Sequence, residues 1–355
     1  MPPMPATDPE TFEVHVFGWS RGFVAFGSDG GPGIGSTAPA TLAATSSADG
    51  LSWTAPRGIA LTGLDDRIDI VKVVEGPAGL VAVGQLPQGT CGGPSTVGAL
   101  WTSTDGHAWH RVALPKAFSA VQVDMLDAGS AGYIASNPTY DNTAPVVWLS
   151  QDGRTWRSTP LSRSTFGKVI VDGTTSFAGG YVLAGAVVGE GGCGGPALVT
   201  PSIWWSADGD AWSRSPLSGA TPKDNAYMTV SRISDHAVVA NARTYDAATD
   251  SMSHQVWLTG DGRHWAPVAA PSTLNDNRIL TDGARGMIVL EPVDNVGPPT
   301  LAAVGDDLAV TILRQTGPGP LADESIVGWT SALGPTGIVT LTADKGHLWL
   351  GVPAG

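Results

Sequence analysis

One short motif, Ser/Thr-x-Asp-Gly-x-x-Trp, occurs five times in this chain and constrains its fold more than any other feature. The copies begin at Ser47, Ser103, Ser150, Ser206 and Thr259. Their aspartates are Asp49, Asp105, Asp152, Asp208 and Asp261, and their tryptophans are Trp53, Trp109, Trp156, Trp212 and Trp265. From Asp49 to Asp261, four steps cover 212 residues, or 53 per step. A long and regular period of this kind indicates an array of similar structural units.

Each copy has the chemistry of a hairpin turn. The central Asp-Gly pair favours a tight connection, because glycine supplies the positive φ that such turns need. The carboxylate is expected to accept hydrogen bonds from its own turn, and the preceding hydroxyl to join them. The motif tryptophan begins the return strand as an apolar plate. A second tryptophan precedes the hydroxyl by two residues, on the same strand face, in four copies: Trp101, Trp148, Trp204 and Trp257.

The motif resembles the Asp-box, or BNR repeat, of sialidase-like β-propellers, and the match spans residues 44–265. In that family the motif occupies the turn between the third and fourth strands of a blade, on the face opposite the ligand site. The resemblance therefore implies a structural role for the motif aspartates and tryptophans.

The period predicts how many units the chain holds. At 53 residues per unit, 355 residues hold between six and seven. We predict an all-β β-propeller of four-stranded antiparallel blades, seven in number with six as the alternative, and a single domain over residues 1–355. Residues 278–316 and 325–352 are interpreted as units six and seven, and the seventh is one strand short. Residues 1–10 form an N-terminal extension that either pairs with this last blade or is a disordered start.

The charge and hydrophobicity of the chain limit the classes of partner that it can bind. The net charge is −13 without any run of Lys or Arg, which argues against nucleic acid and anionic membrane surfaces. No apolar stretch is long enough to span a bilayer. Residues 1–15 lack a signal peptide, so an export signal would have to be missing from this chain. Asp-box proteins of this kind are mostly secreted or surface-attached, and the resemblance therefore implies an extracellular or cell-surface location.

The connections between second and third strands would lie opposite the motif turns and carry recognition. The long ones are expected at Asp29–Ala40, Gln85–Val97, Val187–Pro201 and Arg243–Ser253. Thr-Tyr-Asp occurs in the last of these and in the shorter connection Asn137–Pro145, which makes Tyr140, Asp141, Tyr245 and Asp246 candidate ligand-binding residues. Tyrosine rings can stack on a ligand, and carboxylates can accept hydrogen bonds from its hydroxyl groups. This combination suits sugars and other polyols. The alternative is inherited loop chemistry without a ligand.

The inner strands offer a second set of candidates. Alignment on the first hairpin of each unit places His15, Lys72, Asp124, Asp172 and Thr229 at corresponding channel-facing positions. His15 and Lys72 are candidate ligand contacts, and Asp124 and Asp172 are a candidate acid–base pair. The alternative is a water-filled channel with ordinary ion pairs.

The chain has two cysteines, Cys91 and Cys193. Each begins a Cys-Gly-Gly-Pro sequence, and the two sequences occupy matching connections in units two and four. We predict a disulfide between them in an oxidising compartment. Geometry argues against it, since the two Cα atoms must come within about 7 Å across the intervening unit.

No cofactor or metal is predicted, because the seven histidines lack metal-ligand spacing. Sialidase chemistry is disfavoured: Pro56-Arg57-Gly58-Ile59 does not match the Arg-Ile-Pro phrase of that family, and no glutamate is set beside a tyrosine as its nucleophile pair requires.

Three hypotheses for the function remain. The first is a binding propeller for a carbohydrate or protein partner, the second a glycan-active hydrolase or lyase that uses channel-mouth carboxylates, and the third an assembly or scaffold factor.

Overall fold

A computed structural model gives the structure of the chain and describes thirteen segments of it. They are residues 14–29, 41–59, 69–86, 96–119, 125–137, 145–189, 198–268, 274–281, 286–292, 300–304, 307–313, 329–342 and 348–351. The described residues form 27 strands, arranged in seven antiparallel sheets, and two helices of four residues each. The predicted all-β class is therefore confirmed.

Two compact units divide the chain, and each is described separately. The first comprises residues 1–122, 280–282 and 314–355 and holds sheets 1, 2 and 7. Sheet 1 consists of β1 (Val14–Trp19), β2 (Gly22–Asp29), β3 (Thr41–Ser47) and β4 (Arg57–Gly58). Sheet 2 consists of β5 (Asp69–Gly76), β6 (Gly79–Leu86), β7 (Thr96–Ser103) and β8 (His110–Val112), and α1 (Lys116–Ser119) follows it. Sheet 7 consists of β25 (Trp329–Gly334), β26 (Gly337–Thr342) and β27 (Leu348–Gly351).

The second unit comprises residues 123–279 and 283–313 and holds sheets 3 to 5 and all of sheet 6 except Leu280 and Thr281. Sheet 3 consists of β9 (Met125–Gly129), β10 (Gly132–Ser136), β11 (Val146–Ser150) and β12 (Arg157–Pro160), and α2 (Arg163–Phe166) follows it. Sheet 4 consists of β13 (Val169–Phe177), β14 (Gly180–Val188), β15 (Val199–Ser206) and β16 (Ser213–Ser215). Sheet 5 consists of β17 (Asn225–Ser234), β18 (Ala237–Asp246), β19 (Ser251–Thr259) and β20 (Ala266–Val268). Sheet 6 consists of β21 (Leu274–Thr281), β22 (Gly286–Pro292), β23 (Thr300–Val304) and β24 (Val310–Leu313).

Every sheet is a meander, because its strands follow one another in chain order. Sheets 6 and 7 lie in the two regions predicted to hold the last units, although sheet 6 begins at Leu274, four residues earlier than expected. The described part of sheet 7 has three strands, as the sequence predicts. None of the described helices is long and apolar enough to cross a membrane.

Apolar faces of neighbouring sheets pack together inside each unit. In the first unit, Trp19, Phe26, Leu80 and Trp101 are buried in one cluster between sheets 1 and 2. Strand β1 also lies close to sheet 7: a Cβ on Gly18 would come within 1.6 Å of the Leu333 carbonyl oxygen, so no larger residue fits there.

The second unit repeats this packing twice. Sheets 3 and 4 share a cluster that contains Leu149, Leu183 and Trp204, and sheets 4 and 5 share one that contains Phe177 and Trp257. Burial of whole indole and phenyl rings makes these interfaces the main apolar contribution to stability.

Candidate ligand-binding surface

The five repeated motifs occupy the connections between third and fourth strands, and their hydrogen bonds are nearly identical. In the second copy, the Ser103 hydroxyl donates to Asp105 Oδ1 at 3.0 Å and accepts from the Gly106 N–H at 2.9 Å. The N–H groups of His107 and Ala108 donate to the same carboxylate oxygen, each at 2.8 Å. The Trp109 indole N–H donates to the Gly106 carbonyl at 3.2 Å. The motif glycines have φ between 67° and 81°, the left-handed region that the Asp-Gly pair predicts.

These bonds hold the motif carboxylates in their ionised form. The backbone N–H groups of Ser52 and Leu51 lower the pKa of Asp49 to about 2. The N–H of Thr155, against the opposing effect of burial, lowers the pKa of Asp152 to about 2. A carboxylate with this pKa carries no proton near neutrality, so these groups are poor general acids.

The motif turns also contact the preceding sheet within each unit. The Arg21 guanidinium of sheet 1 donates to the Thr104 carbonyl in the motif of sheet 2. Arg157 of sheet 3 donates to the Asp208 carbonyl at 2.8 Å, in the motif of sheet 4. Arg263, in the motif of sheet 5, lies 3.9 Å from the ring centroid of Trp205 in sheet 4. These contacts support a structural role for the motif, in closing turns and joining neighbouring sheets.

The inner-strand alignment is only partly correct. His15, Lys72 and Thr229 do share a ladder position, since each pairs with the fifth residue of the second strand: Phe26, Val83 and Asn241. Asp172 does not. A β-bulge between Val171 and Gly173 gives that position to Gly173 and leaves Asp172 in the bulge. Asp124 lies outside the described residues, and Met125 holds the shared position in sheet 3.

Asp172 stands apart from the other described carboxyl groups with a shifted pKa, because its pKa is raised whereas theirs are lowered. It is 9% exposed, and its Oδ2 accepts a hydrogen bond of 3.2 Å from the Met228 N–H on β17. Burial raises the pKa of Asp172 to about 6, against the opposing effect of that hydrogen bond. The carboxylate of Asp127 on β9 accepts hydrogen bonds from the Thr175 hydroxyl and the Ala128 N–H.

The connection expected over Arg243–Ser253 is much shorter in the structure. Strand β18 continues to Asp246 and β19 begins at Ser251, which leaves a turn of four residues. Tyr245 is therefore a strand residue, paired with Asn225 on β17 and Met252 on β19. The prediction underestimated the strands because Thr-Tyr-Asp contains a turn former after two good strand formers.

Tyr245 lies on a sheet surface that the sequence analysis did not identify. Side chains paired across a ladder share a face, and so do residues two apart on one strand. Asn225, Tyr227, Arg243, Tyr245, Met252 and His254 therefore form one face at this end of sheet 5, here called the sheet 5 face. Tyr227 is 51% exposed and Met252 48% exposed, whereas Ala226, Met228 and Ala242 on the opposite face are buried.

Carboxylates and one lysine fix the tip of the hairpin above this face. The Tyr245 hydroxyl donates to Asp250 Oδ1 at 2.9 Å, and this bond raises the pKa of the phenol, so that it stays protonated. Asp246 accepts from Lys223 Nζ at 2.8 Å, and Asp224 accepts from the Ala247 N–H at 2.7 Å. The backbone of Asp250 has φ of 47°, a conformation that aspartate tolerates better than most residues. The ring of Tyr245 is thus held in position before any ligand arrives.

The structure brings together some of the predicted site residues and not others. Tyr245 and Asp246 are neighbours in one hairpin of the second unit, and Asp172 contacts the strand β17 that carries Tyr227. His15 and Lys72 belong to the first unit. Tyr140, Asp141, Asp124, Cys91 and Cys193 lie outside the described residues. Residues 225–230 alternate between side chains that suit a surface and apolar ones that suit a core, and in β17 the first set is exposed or half-buried and the second buried. This alternation is the sequence signal that could have identified Tyr227.

The described part of the chain holds no group of three or more His, Cys, Asp or Glu side chains arranged to bind a metal ion.

Comparison with known proteins identifies the fold. No protein-family model matches the chain, and no curated protein sequence matches it either. Among solved structures, the β-propeller domain of the trilobed protease from Pyrococcus furiosus aligns with a TM-score of 0.51 at 9% identity, over 96% of this chain and 97% of that one. A sialidase from Trypanosoma rangeli aligns with a TM-score of 0.47 at 13% identity, over 81% of this chain and 53% of that one. The first likeness shows the fold alone: the chain is a β-propeller, as the motif spacing predicts, and the number of blades stays a prediction.

Proposed function

We propose that this chain is a secreted or surface-attached binding propeller that recognises a carbohydrate through the sheet 5 face. The observation that carries the proposal is the exposed Tyr227 ring on β17, which shares its face with Tyr245, Met252 and polar side chains. Seven blades in a single domain over residues 1–355 are part of the same proposal.

The chemistry of this face suits a sugar. The apolar side of a pyranose ring stacks on an aromatic plate, while its hydroxyls need donors and acceptors at the plate's edge. Here Tyr227 supplies the plate, and the exposed side chains of Asn225 and Arg243 supply polar groups on the same face. The β-ladder and the hairpin-tip hydrogen bonds reduce the ordering cost on binding.

A second candidate function is glycan hydrolysis or cleavage, and one observation favours it. With a pKa raised to about 6, Asp172 holds its proton to a higher pH than an ordinary aspartate, as a general acid must. The partner carboxylate in this alternative is Asp124.

A glycan array read in parallel with a panel of glycosidase and lyase substrates tests both candidates. Binding without turnover is expected, together with a loss of about tenfold or more in affinity, about 1.4 kcal/mol, for Tyr227→Ala. Tyr227→Phe keeps the ring and is expected to retain most of the affinity. Leu51→Ala removes an exposed apolar side chain from a motif turn of sheet 1 and serves as the matched surface control.

The opposite results are equally clear. Turnover that disappears in Asp172→Asn would establish the enzyme in place of the binding module. If no glycan on the array binds and a protein binds through the same tyrosines instead, the ligand is a protein and not a carbohydrate.

A further inference from the structure

We propose that the sheet 5 face selects saccharides that carry a carboxylate, and that Arg243 is the group that binds this carboxylate. The inference rests on the proposed carbohydrate-binding function and names the class of sugar. It concerns non-covalent recognition only.

Arg243 occupies the middle of the face. It lies on β18 with Tyr227 directly across the ladder on one side and His254 directly across on the other, and Tyr245 is two residues along the same strand. Its side chain is exposed, and Nη2 lies 3.4 Å from Met252 Sδ. A thioether sulfur is only a weak acceptor, so this contact leaves the charge of the guanidinium without a counterion.

Other basic side chains of the same unit are differently placed. Arg157, Lys223 and Arg232 each have a carboxylate oxygen within 3.4 Å. Within the segments that the structure describes, Arg243 belongs to no such ion pair. The chain has 32 acidic and only 19 basic residues, so an exposed arginine outside any such ion pair is unusual here. Its charge is available to an anion from outside the protein.

The nearby aspartates do not compete for Arg243. Asp246 is bound by Lys223 and the Ala248 N–H, Asp250 by the Tyr245 hydroxyl, and Asp224 by the Ala247 N–H. They lie at the hairpin tip, and Asp246 is three residues from Arg243, roughly 10 Å along the strand. This distance is close to the Debye length at physiological salt, so their repulsion of an anion at Arg243 is largely screened.

A uronic acid matches this arrangement of groups. Its carboxylate is attached directly to the sugar ring, so a ring stacked on Tyr227 places the anion beside the stacking plate, where Arg243 lies. A planar guanidinium binds a carboxylate through two parallel hydrogen bonds, which a neutral hydroxymethyl group cannot accept in the same way.

Binding of oligogalacturonate and of its fully methyl-esterified form to the full chain, measured by calorimetry, tests the inference. The two probes have the same ring and differ in charge. We expect the acid form to bind about tenfold more tightly than the ester, and the difference to shrink in high salt. Arg243→Gln should abolish the preference, so that the acid and the ester bind the variant equally. Arg57→Gln, which removes an exposed charge from sheet 1, should leave the preference intact.

Each contrary result has a separate meaning. Equal binding of acid and ester overturns this inference and leaves the carbohydrate-binding function standing. A preference that survives in Arg243→Gln also overturns it, since another cation would then bind the carboxylate. Absence of binding to both probes overturns it as well, and a neutral-glycan array then decides whether the proposed function fails too. Preference for a sulfated oligosaccharide over the carboxylated one would replace the predicted ligand class.

Discussion

Replacement of Asp172 by asparagine should stabilise the protein at alkaline pH and not at acid pH. The pKa of this carboxyl rises from its ordinary value of 3.8 to about 6 on folding, because the group is buried. Below pH 3.8 the carboxyl is neutral in both the folded and the unfolded chain and costs nothing. Between pH 3.8 and about 6 the unfolded chain releases this proton while the folded chain keeps it, so stability falls across that window and stays at its lower value above it.

The magnitude follows from the size of the shift. A change of one pKa unit corresponds to 1.36 kcal/mol, so a rise from 3.8 to about 6 costs the folded state about 3 kcal/mol at pH 8. Asparagine removes the charge and keeps an oxygen that accepts the Met228 N–H. Asp172→Asn should therefore raise the free energy of unfolding by up to about 3 kcal/mol at pH 8, and by nearly nothing at pH 4.

Urea denaturation at pH 4 and pH 8, followed by tryptophan fluorescence, measures this difference through the shift in midpoint. Asp210→Asn is the matched control, because it removes the same charge from an exposed ion pair with Arg157, whose contribution is about 0–1 kcal/mol. A variant no more stable than wild type at pH 8 would show that ionisation of Asp172 does not destabilise the folded state. An equal gain at both pH values would assign the effect to packing and not to ionisation.

Three further results are expected. Asp105→Ala removes two backbone hydrogen bonds from a motif turn and should lower stability by roughly 1–3 kcal/mol while glycan affinity is unchanged; a fully stable variant that loses binding would contradict the structural role. Asp152, with its pKa lowered to about 2, contributes stability above pH 4 that is lost as the pH falls toward 2, and an NMR titration that returned an ordinary pKa near 4 would contradict the turn geometry. Titration of the unfolded, unreduced protein should find no free thiol if Cys91 and Cys193 are bonded, and two free thiols would exclude the disulfide.

The sequence predicted the repeated turns and the role of their carboxylates because the chemistry of these turns is local. Serine, aspartate, glycine and tryptophan within seven residues satisfy one another's hydrogen bonds, so the pattern Ser103–Trp109 carries all the information that its turn needs. The same locality explains why the period of the motif predicted the array of four-stranded sheets.

The candidate site could be predicted only in part, because it depends on strand register. Tyr245 was identified from its repeated tripeptide, but Tyr227, Arg243 and Met252 share its face through ladder pairing between residues up to 20 positions apart in sequence, as Asn225 and Tyr245 are. The bulge at Asp172 moved that residue out of the predicted row, since one extra residue reverses every later side chain. Neither the pairing register of sheet 5 nor the bulge at Asp172 can be predicted from the secondary-structure propensity of one strand alone.

The structure of a complex with the best-bound glycan shows whether the sheet 5 face is the binding site. We expect a sugar ring stacked on Tyr227 at van der Waals distance, with Tyr245 and Arg243 at its edge and the five motif turns free of ligand. A glycan bound elsewhere, with the rings of Tyr227 and Tyr245 both out of contact, would contradict it.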